Sequence, residues 1–231
     1  MSEKVVLITG GSSGLGKEVA RLFAKDTKVV IVSHIPEEVE EASQELDCAG
    51  LVCDVTDSSQ VQKTVDIVVE ELGGVDVLIN SAGVWLGGEL DENKYEDISR
   101  VISVNTIGTI NMTRAVLPVM RKQDQAKILN VISIDGVIFK KERSVYCASK
   151  WALAGFTQCL REDLAGTGIS VMGFYPAIIK TGLFEKAGVK RDMSQAMEVG
   201  DVAKVIEFML TFRDNIVFDN ITLRDISYGN F

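Results

Sequence analysis

The 231-residue chain has one histidine, His34, three prolines and four cysteines. A single histidine excludes any multi-His metal site, and no metal is expected. Cys48, Cys53, Cys147 and Cys159 contain no Cys-x-x-Cys pair, and a disulfide framework for so long a chain would be sparse. Free thiols packed as small apolar groups are therefore expected, as in a cytoplasmic protein. Three prolines leave little room for a proline-rich linker. No uninterrupted apolar run exceeds four residues, so no helix is expected to cross a bilayer. The start, Met-Ser-Glu-Lys-Val-Val-Leu-Ile-Thr-Gly, has no basic stretch ahead of a long apolar one, so no signal peptide is expected. Basic residues are outnumbered, 24 against 33 acidic, for a net charge of −9. Nonspecific nucleic-acid binding needs the opposite balance, so no nucleic-acid partner is expected.

What is present is a core-forming composition: 46% apolar and 25% charged residues. Short runs rich in Val and Ile, apolar on both faces, recur at Val5–Thr9, Val29–Ser33, Leu51–Val55, Val75–Asn80, Ile128–Ser133, Ser170–Tyr175 and Ile216–Leu223. Between them lie helix-like stretches near 14–25, 37–46, 58–72, 94–121, 144–165 and 199–210. Runs buried on both faces that alternate with helices predict an α/β fold, a parallel sheet covered by helices on both sides. No linker, repeat or composition shift divides the chain, so residues 1–231 read as one domain. Ligands of such sheets bind beyond the carboxyl ends of the strands, so the residues after each run are the ones to inspect.

The first run is followed by Gly10-Gly11-Ser12-Ser13-Gly14-Leu15-Gly16. A glycine-rich turn opening a helix exposes backbone N–H groups to a phosphate. Alone, it reads equally as a nucleotide cradle or as a tight turn. Gly10-x-Ser12-x-Gly14 also fits a serine-hydrolase elbow, but that chemistry needs a histidine base and His34 ends the second run. Ser33-His34 stands where an acidic residue would select NAD and an arginine would select NADP. A hydroxyl and an imidazole do not repel a 2′-phosphate and can donate to it, so NADP(H) is expected to be preferred, with NAD(H) as the alternative.

Later in the chain, Tyr146 and Lys150 stand four apart and share a helix face. A nearby ammonium stabilises a phenolate and can make tyrosine an acid–base group for a carbinol oxygen. The bland alternative is a surface helix face. Ser133, ending the fifth run, could hold a carbonyl oxygen. Asn105 lies on an apolar helix face and must find partners, as a core asparagine or otherwise.

Taken together, these residues resemble the short-chain dehydrogenase/reductase family in its single-domain form. The resemblance runs from Lys4 to about Leu223. It rests on Thr9–Gly16, Cys53-Asp54-Val55, Asn80-Ser81-Ala82-Gly83, the series Asn105, Ser133, Tyr146 and Lys150, and Pro176–Thr181. It implies a Rossmann-like doubly wound sheet of about seven strands. It also implies cofactor contacts from Gly10, Ser12, Ser13, Gly14, Leu15, Gly16, Ser33, His34, Asp54, Val55, Asn80, Ala82, Gly83, Tyr146, Lys150, Pro176, Ile179 and Thr181. Three departures stand out. Ser81 replaces a second asparagine, Ile132 stands where a serine is frequent, and Ala177 replaces a glycine. Alanine cannot follow glycine into positive φ, so the backbone beside the nicotinamide is expected to differ slightly. The tyrosine–lysine spacing disfavours the enoyl-reductase branch, and the length disfavours the extended, epimerase-like branch.

The resemblance implies hydride transfer between nicotinamide C4 and a carbonyl or carbinol carbon. Tyr146 is then the acid–base group, with Lys150 lowering its pKa and holding the nicotinamide ribose. Ser133 orients the substrate oxygen, and Asn105 holds a water linking Lys150 to solvent. The substrate is expected to be a small carbonyl compound or alcohol with an apolar part, lined by Trp85, Asp135, Val137, Ile178, Leu183 and Phe184. Residues 182–198 read as a lid. A homodimer or homotetramer through 94–121 and 144–165 is the expected assembly. A non-catalytic NADP(H) sensor or a scaffold is the alternative function.

Overall fold

Seven parallel strands carry the chain: Val5–Thr9 (β1), Lys28–Ser33 (β2), Ala49–Val52 (β3), Val77–Asn80 (β4), Ala126–Val131 (β5), Ile169–Pro176 (β6) and Asn220–Leu223 (β7). Their spatial order is β3-β2-β1-β4-β5-β6-β7. In this computed structural model residues 4–213 and 216–228 are described. The order reverses between β1 and β4, which opens a crevice at the carboxyl ends of those two strands.

Helices Gly14–Phe23 (α1), Pro36–Leu46 (α2), Ser58–Leu72 (α3), Tyr95–Ile102 (α4), Thr109–Met120 (α5), Ser144–Asp163 (α6), Leu183–Lys186 (α7) and Val199–Thr211 (α8) complete the fold. Strand alternation divides the core in two. Val6, Ile8, Ile31 and Ile79 pack with Val19, Phe23 and Ile206 on one face. Leu7, Val30, Leu78 and Ile128 pack with Val65, Met112 and Val116 on the other. Both faces are dry, as the uninterrupted Val/Ile runs require. Local chemistry sets the helix ends. Asp57 caps α3 by accepting from Ser59 N at 2.9 Å and Gln60 N at 3.2 Å, and Gly73 closes it in the left-handed region.

Several expected boundaries shift. β3 ends at Val52 rather than Val55, because Asp54 turns inward to accept from the Thr56 N–H and hydroxyl. β4 begins at Val77, two residues late, and β7 only at Asn220, since Ile216 and Val217 lie exposed outside the sheet. β5 stops at Val131, so Ser133 is not a strand residue but opens a short 3-10 turn over Ile134–Gly136. The single helix expected over 94–121 is two helices joined by a wide π turn, Ser103–Gly108. Such turns re-aim side chains within a helix and concentrate at functional sites. A second constraint acts at Gly108, where any Cβ would sit 2.5 Å from Val55 Cγ2. Ala177 is absent from the residues with positive φ, so replacing glycine there carries no backbone strain. No described helix is long and apolar enough to cross a membrane.

Candidate active site

A cleft of about 790 Å³ opens along the carboxyl rim of the sheet. At one end, Gly10, Ser13, Gly14, Leu15 and Gly16 line it. Gly10 and Gly14 hold φ of +67° and +55°, conformations that favour glycine, and a Cβ on Gly10 would stand 2.9 Å from the Ala82 backbone. α1 starts here with no side-chain cap and no acidic residue in its first turn. Its first N–H groups are therefore free to meet an anion, which fits the pyrophosphate of a dinucleotide. The Thr9 hydroxyl bolts the crevice floor together by accepting from Ser81 N and Ala82 N, both at 3.2 Å.

Beyond the glycine loop the cleft passes Ser33, His34, Asp54 and Val55. Glu38, in the first turn of α2, also lines this end. The Lys186 ammonium crosses the cleft to reach it, donating at 2.7 and 3.0 Å to its two oxygens and at 3.2 Å to Ser13 Oγ. Lys186, with help from Ser12 and the nearby His34, holds the Glu38 carboxyl below its usual value despite partial burial.

Toward the middle lie Tyr146, Lys150 and Ser133. Helix α6 places the Lys150 ammonium 5.8 Å from the Tyr146 ring centroid and within 3.2 Å of the Val131 carbonyl, to which it donates. Burial pushes Lys150 down to about 8, with Asp135 pulling the other way. Tyr146 is raised well above its ordinary value, first by burial and next by the Asp135 charge, while its hydrogen bond with Ser133 and the Arg143 charge oppose. Asn105 sits in the π turn, fully buried. Its Oδ1 accepts from Val84 N at 2.8 Å, and its Nδ2 donates to Val84 O and to Ser149 Oγ, both at 3.0 Å. Gly83 lies between the two groups: a Cβ there would be in ordinary contact with both, 3.4 Å from Asn105 Oδ1 and 3.7 Å from Lys150 Nζ.

The far end is walled by aromatic rings. The Trp85 and Tyr146 centroids are 6.5 Å apart, and Trp85 meets the edge of Phe184 at 5.3 Å. Asp135 and Arg143 form an ion pair at 2.8 Å with both side chains largely buried, and Arg191 and Tyr228 complete the lining.

A family model described as short chain dehydrogenase matches residues 4–192. The chain belongs to the short-chain dehydrogenase family. It is thus an oxidoreductase that acts on CH–OH or C=O groups with NAD(P). An NADP-dependent 3-hydroxy acid dehydrogenase of Schizosaccharomyces pombe is 37% identical over 232 residues, covering 93% of this chain and 89% of that one. The closed form of a serine dehydrogenase complexed with NADP+ superimposes with a TM-score of 0.92 at 25% identity, covering 98% and 96% of the two chains. A short-chain dehydrogenase of Burkholderia phymatum in complex with NAD gives 0.87 at 27%, covering 95% and 89%.

Within this short-chain dehydrogenase, most residues expected at the site line the cleft: those named above, with Gly83, Pro176, Ile178, Ile179, Thr181 and Leu183. Four do not. Ser12 turns from the cleft to donate to Glu38 Oε2 at 3.2 Å. Asn80 lies under the sheet's helical cover, where its amide donates to Thr113 Oγ1 at 3.1 Å and Asn130 Oδ1 at 2.9 Å; it ties β4 to β5 and α5 rather than lining a ligand site. Val137 is exposed outside the cleft. Asn105 lies behind the cleft wall with both amide hydrogens on protein acceptors, so its side chain braces Val84. Asp135 lines the cleft as a buried partner of Arg143.

Sequence reading missed Glu38, Lys186, Arg143, Arg191 and Tyr228. Glu38 carried a local signal, an acid one turn past the second strand. The others converge from separate chain segments and carried none.

Proposed function

We propose that this protein transfers a hydride between NAD(P)(H) and a carbonyl or secondary alcohol, as a ketoreductase or alcohol dehydrogenase with Tyr146 as acid–base. The observation that carries this is the placement of the Tyr146 phenol, with Ser133 and Lys150, in the same cleft as the uncapped start of α1. Bound nicotinamide supplies the two-electron step, the exchange of a hydride with the substrate carbon. The chain's own residues do the rest. Ser133 and Tyr146 hold the substrate oxygen by hydrogen bonds. Burial keeps the ligand-free phenol protonated, the form that gives a proton to a carbonyl oxygen in reduction; in oxidation the same group takes the proton as base. Lys150, buried and easily deprotonated, is placed to pass a proton onward and to meet the nicotinamide ribose. Asn105 fixes the Gly83–Val84 backbone that faces both.

NADP(H) is the preferred cofactor in this reading and NAD(H) the weaker one. Support comes from the absence of a carboxylate at Ser33-His34 and from Lys186, which masks the Glu38 carboxylate. A homodimer or homotetramer is part of the proposal. Exposed Tyr95 on α4, Ile107 in the π turn, and Phe139, which precedes α6 and stacks on Trp151 of that helix, provide the apolar surface for it. A titration with NADPH and NADH by ligand-induced fluorescence, followed by a panel of carbonyls and alcohols read at the nicotinamide absorbance, tests the reading. Saturable NADPH binding with turnover supports it. Binding without turnover of any member favours the alternative, a nicotinamide sensor.

A further inference from the structure

The substrate end of the cleft holds more positive than negative charge, in a protein whose net charge is −9. Arg143 is spoken for: its guanidinium pairs with Asp135 at 2.8 Å and also engages Tyr228. Arg191 is not. It is half-buried, lines the same cleft, and lies over the Phe184 ring with its Cζ 4.6 Å from the centroid. Among the described residues no carboxylate stands within ion-pair distance of it. A guanidinium held on an aromatic face in a partly dry pocket is poorly hydrated and retains its donors for a planar anion. Burial first, and then the neighbouring Arg143 charge, lower its pKa from the ordinary value, outweighing the opposing pull of Tyr228, Asp135 and Tyr146. Surplus positive charge in a concave, low-dielectric site draws in an anion to complete the balance.

Contacts link the phenol to the guanidinium around one wall, Tyr146 to Trp85, Trp85 to Phe184 and Phe184 to Arg191, and the two ends are near enough for the Tyr146 charge to act on Arg191. A ligand along that wall would put its oxygen at the phenol, a short hydrocarbon body on the two rings, and an anionic end at the guanidinium. We propose that Arg191 is the specificity-determining residue for a substrate carrying a carboxylate, so that the physiological substrate is a short hydroxy acid or the corresponding oxo acid. This rests on the reading of the cleft as an oxidoreductase site. The carboxylate takes no part in the redox step. It fixes which carbon faces the nicotinamide, through a bidentate contact that a neutral ester or amide cannot make.

The test uses matched ligands and two readouts. Steady-state rates compare 3-hydroxybutyrate with its methyl ester for wild type, Arg191→Gln and Arg191→Lys. Wild type is expected to favour the acid, and Arg191→Gln to cut kcat/KM for the acid about 30-fold or more while leaving the ester within about threefold, with partial recovery in Arg191→Lys. Binding is read separately from the emission of Trp85 in a Trp151→Phe background, by titration with succinate and with succinamide. Saturable binding of succinate alone, weakened about tenfold or more by Arg191→Gln, supports the proposal even if no substrate turns over, in which case the oxidoreductase reading alone fails. Equal binding of succinamide, or succinate binding untouched by the substitution, overturns the proposal. So does an Arg191→Gln variant that loses acid and ester equally.

Discussion

Asn105 and Val84 exchange two hydrogen bonds, Val84 N to Oδ1 at 2.8 Å and Nδ2 to Val84 O at 3.0 Å. The pair closes a ring between the π turn and the loop after β4. A wide turn in an otherwise regular helix is what aims the amide at that loop.

Replacing Asn105 by alanine leaves both Val84 groups and Ser149 Oγ short of a partner. Each polar group orphaned in a buried site costs about 1–3 kcal/mol. Urea unfolding should show that loss, together with a fall in kcat as the Gly83–Val84 backbone loosens. Unchanged stability in the alanine variant would mean that the amide is not a strut.

Lys150 titrates near 8 against an ordinary 10.5. Between those values the unfolded chain binds more protons than the native one, so this group's contribution to stability rises with pH through the window. The ceiling is about 3 kcal/mol. The stability of wild type relative to Lys150→Met should therefore climb between pH 8 and 10.5 in the ligand-free protein. A flat difference would show that the ammonium is well solvated.

Lys186 and Glu38 meet across the cofactor end of the cleft, 148 residues apart in the chain. With Lys186 removed, the Glu38 carboxylate faces any 2′-phosphate unmasked. Lys186→Ala should thus weaken NADPH more than NADH, by about tenfold in relative Kd, and Glu38→Gln should move the ratio the other way. Fluorescence titration of both cofactors reads it. Parallel effects of both substitutions on the two cofactors would remove the pair from cofactor choice.

The strands were legible because residues buried on both faces of a parallel sheet must be apolar throughout, and Val5–Thr9 appears in the structure with the boundaries its sequence suggests. Strand ends were less legible where a side chain decides them, as Asp54 does by turning to Thr56. The break at Ser103–Gly108 leaves no trace in periodicity, since one wide turn hardly disturbs the apolar stripe of the flanking helices. At the site, the glycine turn and the tyrosine–lysine pair are local patterns and could be read. Asp135 could not be read as buried, because its state depends on Arg143 folding back over it. Arg191 and Tyr228 reach the cleft only through the late segments that cover it, and nothing near them in sequence announces that.

The account turns on the Tyr146 phenol as the proton donor beside a bound nicotinamide. Tyr146→Phe removes one oxygen and keeps the ring that packs against Trp85. The decisive measurement pairs the turnover of this variant with its NADPH affinity. The account predicts kcat reduced by at least about 100-fold with Kd for NADPH within about threefold of wild type. Turnover retained in the phenylalanine variant would contradict it.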